Sequence, residues 1–419
     1  MVELLSPAGN LEKLKAAIRF GADAVYMSGP AFGMRAASAS MSREDLASAV
    51  SYAHAHGVSV YVTVNTMPRE DEYDALREYL SFLAEIGPDA LIVADIGVIA
   101  LCREILPTVK LHLSTQANAV SSAACRAWAA LGVSKIVLAR ELTLREIREI
   151  RAAVPESIEL EVFLHGSMCI SYSGRCLLSA HLTDRDANRG ACTQPCRWGY
   201  TAHTNEAVLY EDKRPDTPLP IYEENGETFF MSSTDLCMID HLSELIDSGV
   251  SSLKIEGRMK SAYYTAVVTN AYRMAIDAIL RGEEPDPRLM RELCSVSHRE
   301  YATGFFYDDA RENARITKKP GYSGEKAYLA DVLEYSEETG EALCIQRNKV
   351  KCGDHAELLT PGKVGIPLTV DALFDEFHES IDSAPHPQMK FYMKMPFAVR
   401  QGDILRLSPE EIGGTLNAD

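Results

Sequence analysis

The sequence predicts a (β/α)8 barrel of the TIM type with a Cys-rich insertion after strand 7, followed by a small C-terminal β-barrel domain. Three observations carry this. Eight short apolar runs alternate with helical patterns through the first two thirds of the chain. One connection, after the seventh run, is far longer than the others and holds a cluster of cysteines. Beyond Lys326 the pattern changes to alternating strands separated by turns.

The eight runs are Val2–Ser6, Asp23–Met27, Val58–Val64, Ala90–Ala94, Lys110–Ser114, Lys135–Ala139, Glu159–Leu164 and Ser252–Ile255. Each is nearly continuously apolar, as strands buried on both faces must be. A doubly wound open sheet alternates in the same way, and the count of eight selects the barrel. Between the runs, Glu72–Ile86 and Thr143–Ala153 place apolar residues three and four apart, the helical spacing. Asn10, and Ser42 with Asp45 three residues on, mark helix starts, and Asp95 reads as the cap of the next helix. A long helix, Ser261–Arg281, closes the barrel before Gly282-Glu283-Glu284-Pro285 ends it. The barrel then spans 1–285 with its metal-cluster insertion at about 166–237, a helical connector spans 286–322, and the C-terminal domain spans 323–419. In that last domain Lys326–Tyr335, Glu341–Gln346 and His355–Thr360 read as strands, with Gly353-Asp354 and Gly402-Asp403 turning the chain just before a strand. A helix is expected near Cys237–Ser248.

The chain has 419 residues, 46% hydrophobic and 24% charged, an ordinary globular composition. No stretch approaches the ~18 apolar residues of a membrane span, and the first residues read as no targeting signal, so the expected location is cytoplasmic, with no membrane partner. A net charge of −18 excludes a protein coated with basic surface, so an RNA partner must be held by a local patch. In that reducing compartment ten cysteines are not structural disulfides. Cys102 and Cys125 fall in apolar helical stretches and read as buried thiols.

Five cysteines crowd together instead: Cys169, Cys176, Cys192, Cys196 and Cys237. Thiolates on loops with Gly and Pro suit a tetrahedral sulfur cage, and Arg175, Arg189 and Arg197 beside them would favour the thiolate form. Structural zinc is the alternative, but it commonly uses two close Cys pairs, and only Cys192 and Cys196 are close. No C-x-x-C occurs for a redox dithiol, and position 199, where a C-x3-C-x2-C cluster motif needs its third thiol, is Gly199.

Residues at the C-terminal ends of barrel strands face the active site. Here they are Ser6, Asn65, Asp95, Gln116 with Asn118, Arg140 with Glu141, His165, and Glu256 with Arg258. Asn65, Gln116, Asn118, Arg140, Arg175 and Lys254 are the candidate substrate-binding residues, and His165, Glu256 and Arg258 the candidate catalytic ones. Singly, Asn65 also reads as a turn residue and Glu141 as a helix cap. His165 reads either as an acid/base group or as a hydrogen-bonder. Alternation along the last strand puts Lys254, Glu256 and Arg258 on one face, where Lys254 and Glu256 would otherwise form an interior salt bridge.

The run Glu161-x-Phe163-x-x-Gly166-Ser167-Met168-Cys169-x4-Gly174-x-Cys176-x-Leu178-Ser179 resembles, position by position, the signature of the collagenase-like peptidase U-32 family. The resemblance extends to Leu5-Ser6-Pro7-Ala8-Gly9, Ala24-Val25-Tyr26, Ser114-Thr115-Gln116-Ala117-Asn118 and Lys254-Ile255-Glu256-Gly257-Arg258, nearly the whole chain. Within the family, Arg185-Asp186-Ala187-Asn188-Arg189-Gly190-Ala191-Cys192-Thr193 and Cys196-Arg197-Trp198 look most like the tRNA uridine hydroxylase branch. This implies a [4Fe–4S] cluster and prephenate-dependent, O2-independent hydroxylation of wobble uridine to 5-hydroxyuridine. Sister branches hydroxylate an rRNA cytidine or support anaerobic quinone synthesis. Partners would be tRNA, prephenate as co-substrate and a shorter paralogue.

For the cluster, Cys169, Cys176 and Cys192 fit every version of the pattern; the fourth ligand is Cys196 or Cys237, with Cys196 favoured by the shorter loop. Prephenate's two carboxylates call for Arg, with Arg140, Arg175 and Arg258 the candidates. An RNA surface is expected on the C-terminal domain, through Lys318, Lys319, Arg347, Lys349, Lys351, Lys390 and Lys394 with Tyr322, Phe391 and Tyr392 as stacking platforms, against the alternative of an ordinary soluble surface. The competing function is the peptidase of the family's name, but no H-E-x-x-H or G-x-S-x-G occurs. A third reading is a non-catalytic scaffold.

Overall fold

The computed structural model describes residues 2–34, 40–169, 183, 193, 208–211, 214–220, 222–224, 227–229, 233–307, 324 and 326–408. Seven strands, β1 (Glu3–Pro7), β2 (Ala24–Met27), β3 (Ser59–Val64), β4 (Ala90–Val93), β5 (Lys110–Leu113), β6 (Lys135–Val137) and β7 (Glu159–Ser167), pair in parallel in chain order. Helices α1 (Leu11–Arg19), α2 (Arg43–Ala55), α3 (Tyr73–Ile86), α4 (Ile96–Ile105), α5 (Ser122–Ala130) and α6 (Leu144–Ala153) follow β1 to β6 in turn. In the insertion after β7, β8 (Val208–Glu211) pairs with β9 (Arg214–Pro220) and β10 (Tyr222–Glu224) with β11 (Glu227–Phe229), as two antiparallel ladders. β12 (Asp235–Cys237) then runs antiparallel to β7. After the short helix α7 (Leu242–Ile246), β13 (Ser252–Ile255) pairs in parallel with both β7 and β1 and closes the barrel. The eight parallel strands are those the apolar runs predict.

The sequence makes these strands because both faces have partners. Leu5, Ala24, Tyr26, Tyr61, Ala90 and Ile92 form one buried cluster. The alternate positions Leu4, Val25, Val60 and Leu91 are fully buried too, so a period-two pattern could not appear. The helix starts are set by the expected caps: Asn10 Oδ1 accepts Lys13 N–H at 2.9 Å, Ser42 Oγ accepts Asp45 N–H at 3.0 Å, and Asp95 Oδ1 accepts Val98 N–H at 3.0 Å. Glu141 is not the cap of α6. Thr143 is the N-cap of α6, in a reciprocal capping box with Glu146.

Two further departures concern the flank of the barrel. Cys237 ends a strand rather than starting a helix. The long helix expected over Ser261–Arg281 is α8 (Ala262–Leu280); the connector after it is helical in α9 (Leu289–Cys294), but the chain then forms β14 (Tyr301–Ala302), parallel to β12. This return is held by Phe306, whose carbonyl accepts Leu144 N–H at 2.9 Å.

The chain divides into two compact units, and the second gathers Lys15–Gly21, Ser261–Ser297 and Ser323–Asp419. Its sheet has eight antiparallel strands: β15 (Tyr328–Ser336), β16 (Glu341–Gln346), β18 (His355–Leu359), β19 (Ile366–Thr369), β20 (Leu373–Phe374), β21 (Ser380–Ile381), β23 (Lys390–Lys394) and β24 (Ile404–Leu407). A small ladder joins β17 (Val350–Lys351) to β22 (Ser383–Ala384). Gly353 and Gly402 have φ of +90° and +84°, the left-handed turns that precede β18 and β24. One side of this antiparallel sheet buries Leu329, Val332, Phe391, Met393 and Leu405 in a core of its own.

Candidate active site at the barrel rim

A directed chain of hydrogen bonds crosses the C-terminal ends of the barrel strands. Arg258, beyond β13, donates from Nη2 to the Met34 carbonyl and from Nη1 to Thr63 Oγ1 at 3.3 Å; Thr63 Oγ1 lies 3.1 Å from Ser28 Oγ. Met34 N–H donates to Asn65 Oδ1 at 2.9 Å, Asn65 Nδ2 donates to Ser114 Oγ at 3.3 Å, and Ser114 O–H donates to Gln116 Oε1 at 3.0 Å. Every side chain in this chain is buried. Asn65, Gln116 and Arg258, three of the predicted site residues, are thus brought together, and Asn65 is a buried strand-end residue rather than a turn. Ser28, Thr63 and Ser114 were not among the predicted set. All three are small hydroxyls at strand ends, signalled by position on the barrel, and Ser114 also lies in the stretch Ser114–Asn118 that carries the family resemblance. Gly33 closes over them: a Cβ there would lie 1.8 Å from Ser28 Oγ and 2.8 Å from Thr63 Oγ1. Asn118 has a left-handed backbone, φ +51°, and its Nδ2 donates to the Gln116 carbonyl at 2.8 Å.

Below this rim lies a buried charged layer. Lys254 Nζ pairs with Glu161 at 2.8 Å, and Lys135 Nζ with Glu3 at 2.8 Å; Ser252 Oγ donates to Glu3 at 2.7 Å, and Tyr61 O–H to Glu3 at 2.5 Å. The expected Lys254–Glu256 bridge is therefore replaced. β13 shifts register after Lys254, and Glu256 accepts the Tyr26 hydroxyl at 2.9 Å instead. Lys254 also lies over the Tyr26 ring, 4.5 Å from its centroid. Burial lowers the pKa of Lys135, but Glu161 and Glu3 more than offset it, so the ammonium form is favoured. His112 is held well below its ordinary pKa by burial and then by Lys135 and Lys254, so it is neutral.

At the exit of β7, Arg140 lies over the Phe163 ring, 3.9 Å from its centroid, and donates from Nη1 to the Ser167 carbonyl at 2.9 Å. Its Nε is buried without a hydrogen-bond partner among the described residues. Glu141 beside it is pushed up in pKa by burial. His165 is fully buried, and burial pulls its pKa down to about 3, with Asp235 opposing and His298 adding to the fall. A ring that stays neutral at pH 7 fits hydrogen bonding, not proton exchange. Next to it stands a group that the sequence reading placed in the connector. Arg299 makes a buried pair with Asp235 at 2.6 Å, and the His298 ring stacks on Tyr301 at 4.1 Å, while the His165 ring meets the same tyrosine at a tilt, 5.3 Å between centroids.

Of the cysteines, Cys169 is exposed two residues past β7, and Cys237 is buried at the end of β12, in register with His165. Cys176, Cys192, Cys196 and Arg175 lie outside the described residues. Loop closure no longer separates the two candidates for fourth ligand, because the β7–β12 ladder already returns Cys237 to the strand from which the insertion leaves. Burial pushes the Cys102 and Cys344 thiols up to about 12, as expected for inert core thiols.

On the C-terminal sheet, Phe391 is fully buried in the core and is no stacking platform. Tyr392, on the opposite face, stacks on His378 at 4.1 Å. Lys349, Lys351, Lys390 and Lys394 are exposed, whereas Arg347 pairs with Asp331 at 2.8 Å. Lys318, Lys319 and Tyr322 lie outside the described residues. No described helix is long and apolar enough to cross a membrane.

A closed (β/α)8 barrel with a polar strand-end rim and a cysteine-bearing insertion after its seventh strand defines the class of protein. Residues 9–316 match the model of peptidase family U32, and residues 325–406 match the model of that family's C-terminal domain. The chain belongs to peptidase family U32. It is 37% identical over 407 residues to the tRNA hydroxylation protein P1 of Bacillus subtilis, covering 96% of this chain and 94% of that one. It is 39% identical over 279 residues to a 23S rRNA 5-hydroxycytidine synthase of Escherichia coli, covering 67% of this chain and 40% of that one. A protein of Porphyromonas gingivalis named collagenase is 31% identical over 373 residues, covering 86% of each.

Proposed function

We propose that this protein is an RNA-modifying hydroxylase that converts wobble uridine of tRNA to 5-hydroxyuridine, with prephenate as co-substrate and without O2. The observation that carries the reading is the 37% identity, over nearly its full length, to a protein named for tRNA hydroxylation. The rRNA 5-hydroxycytidine synthase supports the same chemistry at C5 of a pyrimidine. In this reading Arg258, beyond β13, and Arg140, at the exit of β7, supply cations for the carboxylates of prephenate. Gln116 orients polar groups of the bound molecules, with Asn65 behind it in the hydrogen-bond chain, and neutral His165 serves as a hydrogen-bonding partner.

The cysteines fit a [4Fe–4S] cluster held by Cys169, Cys176, Cys192 and either Cys196 or Cys237. Cys169 is exposed at the barrel's strand-end face, and thiolates are the ligands such clusters use. Bound there, the cluster would supply a redox-active or Lewis-acidic iron next to the rim. Zinc in the same thiols is the alternative, and metal analysis of anaerobically purified protein separates the two. About four irons with acid-labile sulfide per chain are expected, falling sharply for Cys176→Ala. The same assay on Cys196→Ala and Cys237→Ala identifies the fourth ligand as the one whose loss removes the iron.

The test of function is nucleoside mass spectrometry of tRNA from cells with and without the gene. Loss of 5-hydroxyuridine derivatives, restored by the wild-type gene and not by Cys176→Ala, is expected. An unchanged profile moves the substrate to an rRNA cytidine or a quinone precursor. Because one relative is named collagenase, the purified protein is also to be incubated with gelatin, and no peptide release is expected.

A further inference from the structure

The hydrogen-bond chain of the rim has a direction, and it ends on a donor. Its start is fixed by a backbone N–H, which cannot act as an acceptor: Met34 N–H must donate to the oxygen of the Asn65 amide. That places the Asn65 NH2 on Ser114 Oγ. The same hydroxyl oxygen also faces Gln116 N–H at 3.5 Å. With both its lone pairs directed at N–H groups, the Ser114 hydroxyl can only give its own proton to Gln116, so the atom 3.0 Å away is the Gln116 carbonyl oxygen. The Gln116 NH2 then points the other way. Gln116 is 1% exposed, and its Nε2 is buried with no hydrogen-bond partner among the described residues.

A buried amide donor without an acceptor is costly and rare in native proteins, and a site that keeps one has a reason to keep it. This donor stands just past β5, at the end of a (β/α)8 barrel where ligands bind. The same chain includes the buried guanidinium of Arg258, which makes the surroundings favourable to negative charge. We infer that Gln116 Nε2 is a specificity-determining donor to an acceptor oxygen of the ligand, a carboxylate or carbonyl oxygen, and that Ser114 and Asn65 are positioning residues that hold the amide the right way round. Such a site rejects a ligand offering a donor at that point, because two N–H groups would then face each other without an acceptor.

This rests on the functional reading above, which supplies two sources for the oxygen: a carboxylate of prephenate, or a uracil carbonyl of the RNA. The full-length protein is to be assayed for prephenate binding by its concentration-dependent thermal shift, and for tRNA binding by filter retention. The variants are Gln116→Met, which keeps the volume and removes the donor, and Gln116→Glu, which turns donor into acceptor. Ser114→Ala and Ser114→Thr probe the relay. If prephenate supplies the oxygen, Gln116→Met weakens its binding about tenfold, the worth of a hydrogen bond to a charged group, and Gln116→Glu weakens it further. tRNA retention then stays within about twofold of wild type. If the base supplies it, the two patterns exchange. In either case Ser114→Ala shows a smaller loss on the same ligand, and Ser114→Thr, which keeps the hydroxyl, retains wild-type binding. Folded Gln116 variants that bind both ligands as wild type does overturn the inference and leave the functional reading standing. A wild-type protein that binds neither overturns that reading, and the inference with it.

Discussion

Lys254 shows how a residue is assigned by its neighbours. Its ammonium is buried and sits 2.8 Å from Glu161, with aromatic faces of Tyr26 and Phe163 at 4.5 and 5.5 Å. Removing one partner of such a pair strands the other charge in the interior. Lys254→Met should therefore destabilise the barrel by about 3–5 kcal/mol in urea unfolding, whereas Lys254→Met with Glu161→Gln should recover most of the loss. Equal losses in the single and double variants would show that the lysine acts by packing alone. Gly33 is the other residue whose role is local. A methyl group there meets Ser28 Oγ at 1.8 Å and Thr63 Oγ1 at 2.8 Å, so Gly33→Ala must push apart the start of the rim's hydrogen-bond chain. A cost of about 1–3 kcal/mol is expected, partly relieved when Ser28→Ala is added. A thermal midpoint for Gly33→Ala equal to wild type would mean that the loop accommodates the methyl without loss.

At the scale of elements, β7 is the branch point of the fold. It pairs with β6 and β13 along the barrel and, toward its end, with β12 of the returning insertion. Gly166 makes this geometry available: its φ is +106°, and a Cβ would lie 2.3 Å from the Glu256 carbonyl oxygen, where β7 meets the chain leaving β13. Gly166→Ala is expected to lower the thermal midpoint by several degrees and, on the proposed reading in which the cysteines hold iron, to impair its retention, since Cys169 and Cys237 flank this ladder. Unchanged iron content in a destabilised variant would separate the ladder from the cluster. The barrel strands and helix caps were legible because each is a local pattern: an apolar run, or Ser and Asn before a helical spacing. β12 and β14 were not, since three residues, Asp235–Cys237, and two, Tyr301–Ala302, carry no periodicity and exist only through their neighbours. For the same reason Asn65, Gln116 and Arg258 could be found by counting to strand ends, whereas the partners of Lys254 and Glu256 depended on a register shift that no sequence pattern announces. Arg299 and His298 were passed over because they follow a helix and precede a strand too short to see.

At the scale of the whole molecule, the second unit depends on a charge cluster in its interior. Arg406 on β24 is fully buried; its guanidinium meets Glu292 of α9 at 2.6 Å and Glu357 of β18 at 2.9 Å, and Lys326 reaches the same Glu357 at 2.6 Å. One arginine therefore ties a strand of the sheet to a neighbouring strand and to a helix distant in sequence. Burial pushes the Glu357 carboxyl up, but Lys326 and Arg406 together pull it down by more, so its folded pKa lies below the ordinary value. The sign follows: the ionised carboxylate contributes stability above its unfolded pKa of about 4.3, and that contribution is lost as pH falls through the lower folded value. Arg406→Met should cost about 3–5 kcal/mol near pH 7, where two carboxylates are left facing Lys326 alone. The difference from wild type should narrow as the pH falls through that lowered folded value, where Glu357 takes up a proton and Arg406 loses a charged partner. Denaturant midpoints of the two proteins across that range test this. A difference that stays constant with pH would assign Arg406 to packing and leave Glu357 a bystander; a difference that closes would make this cluster the acid-sensitive joint of the C-terminal unit.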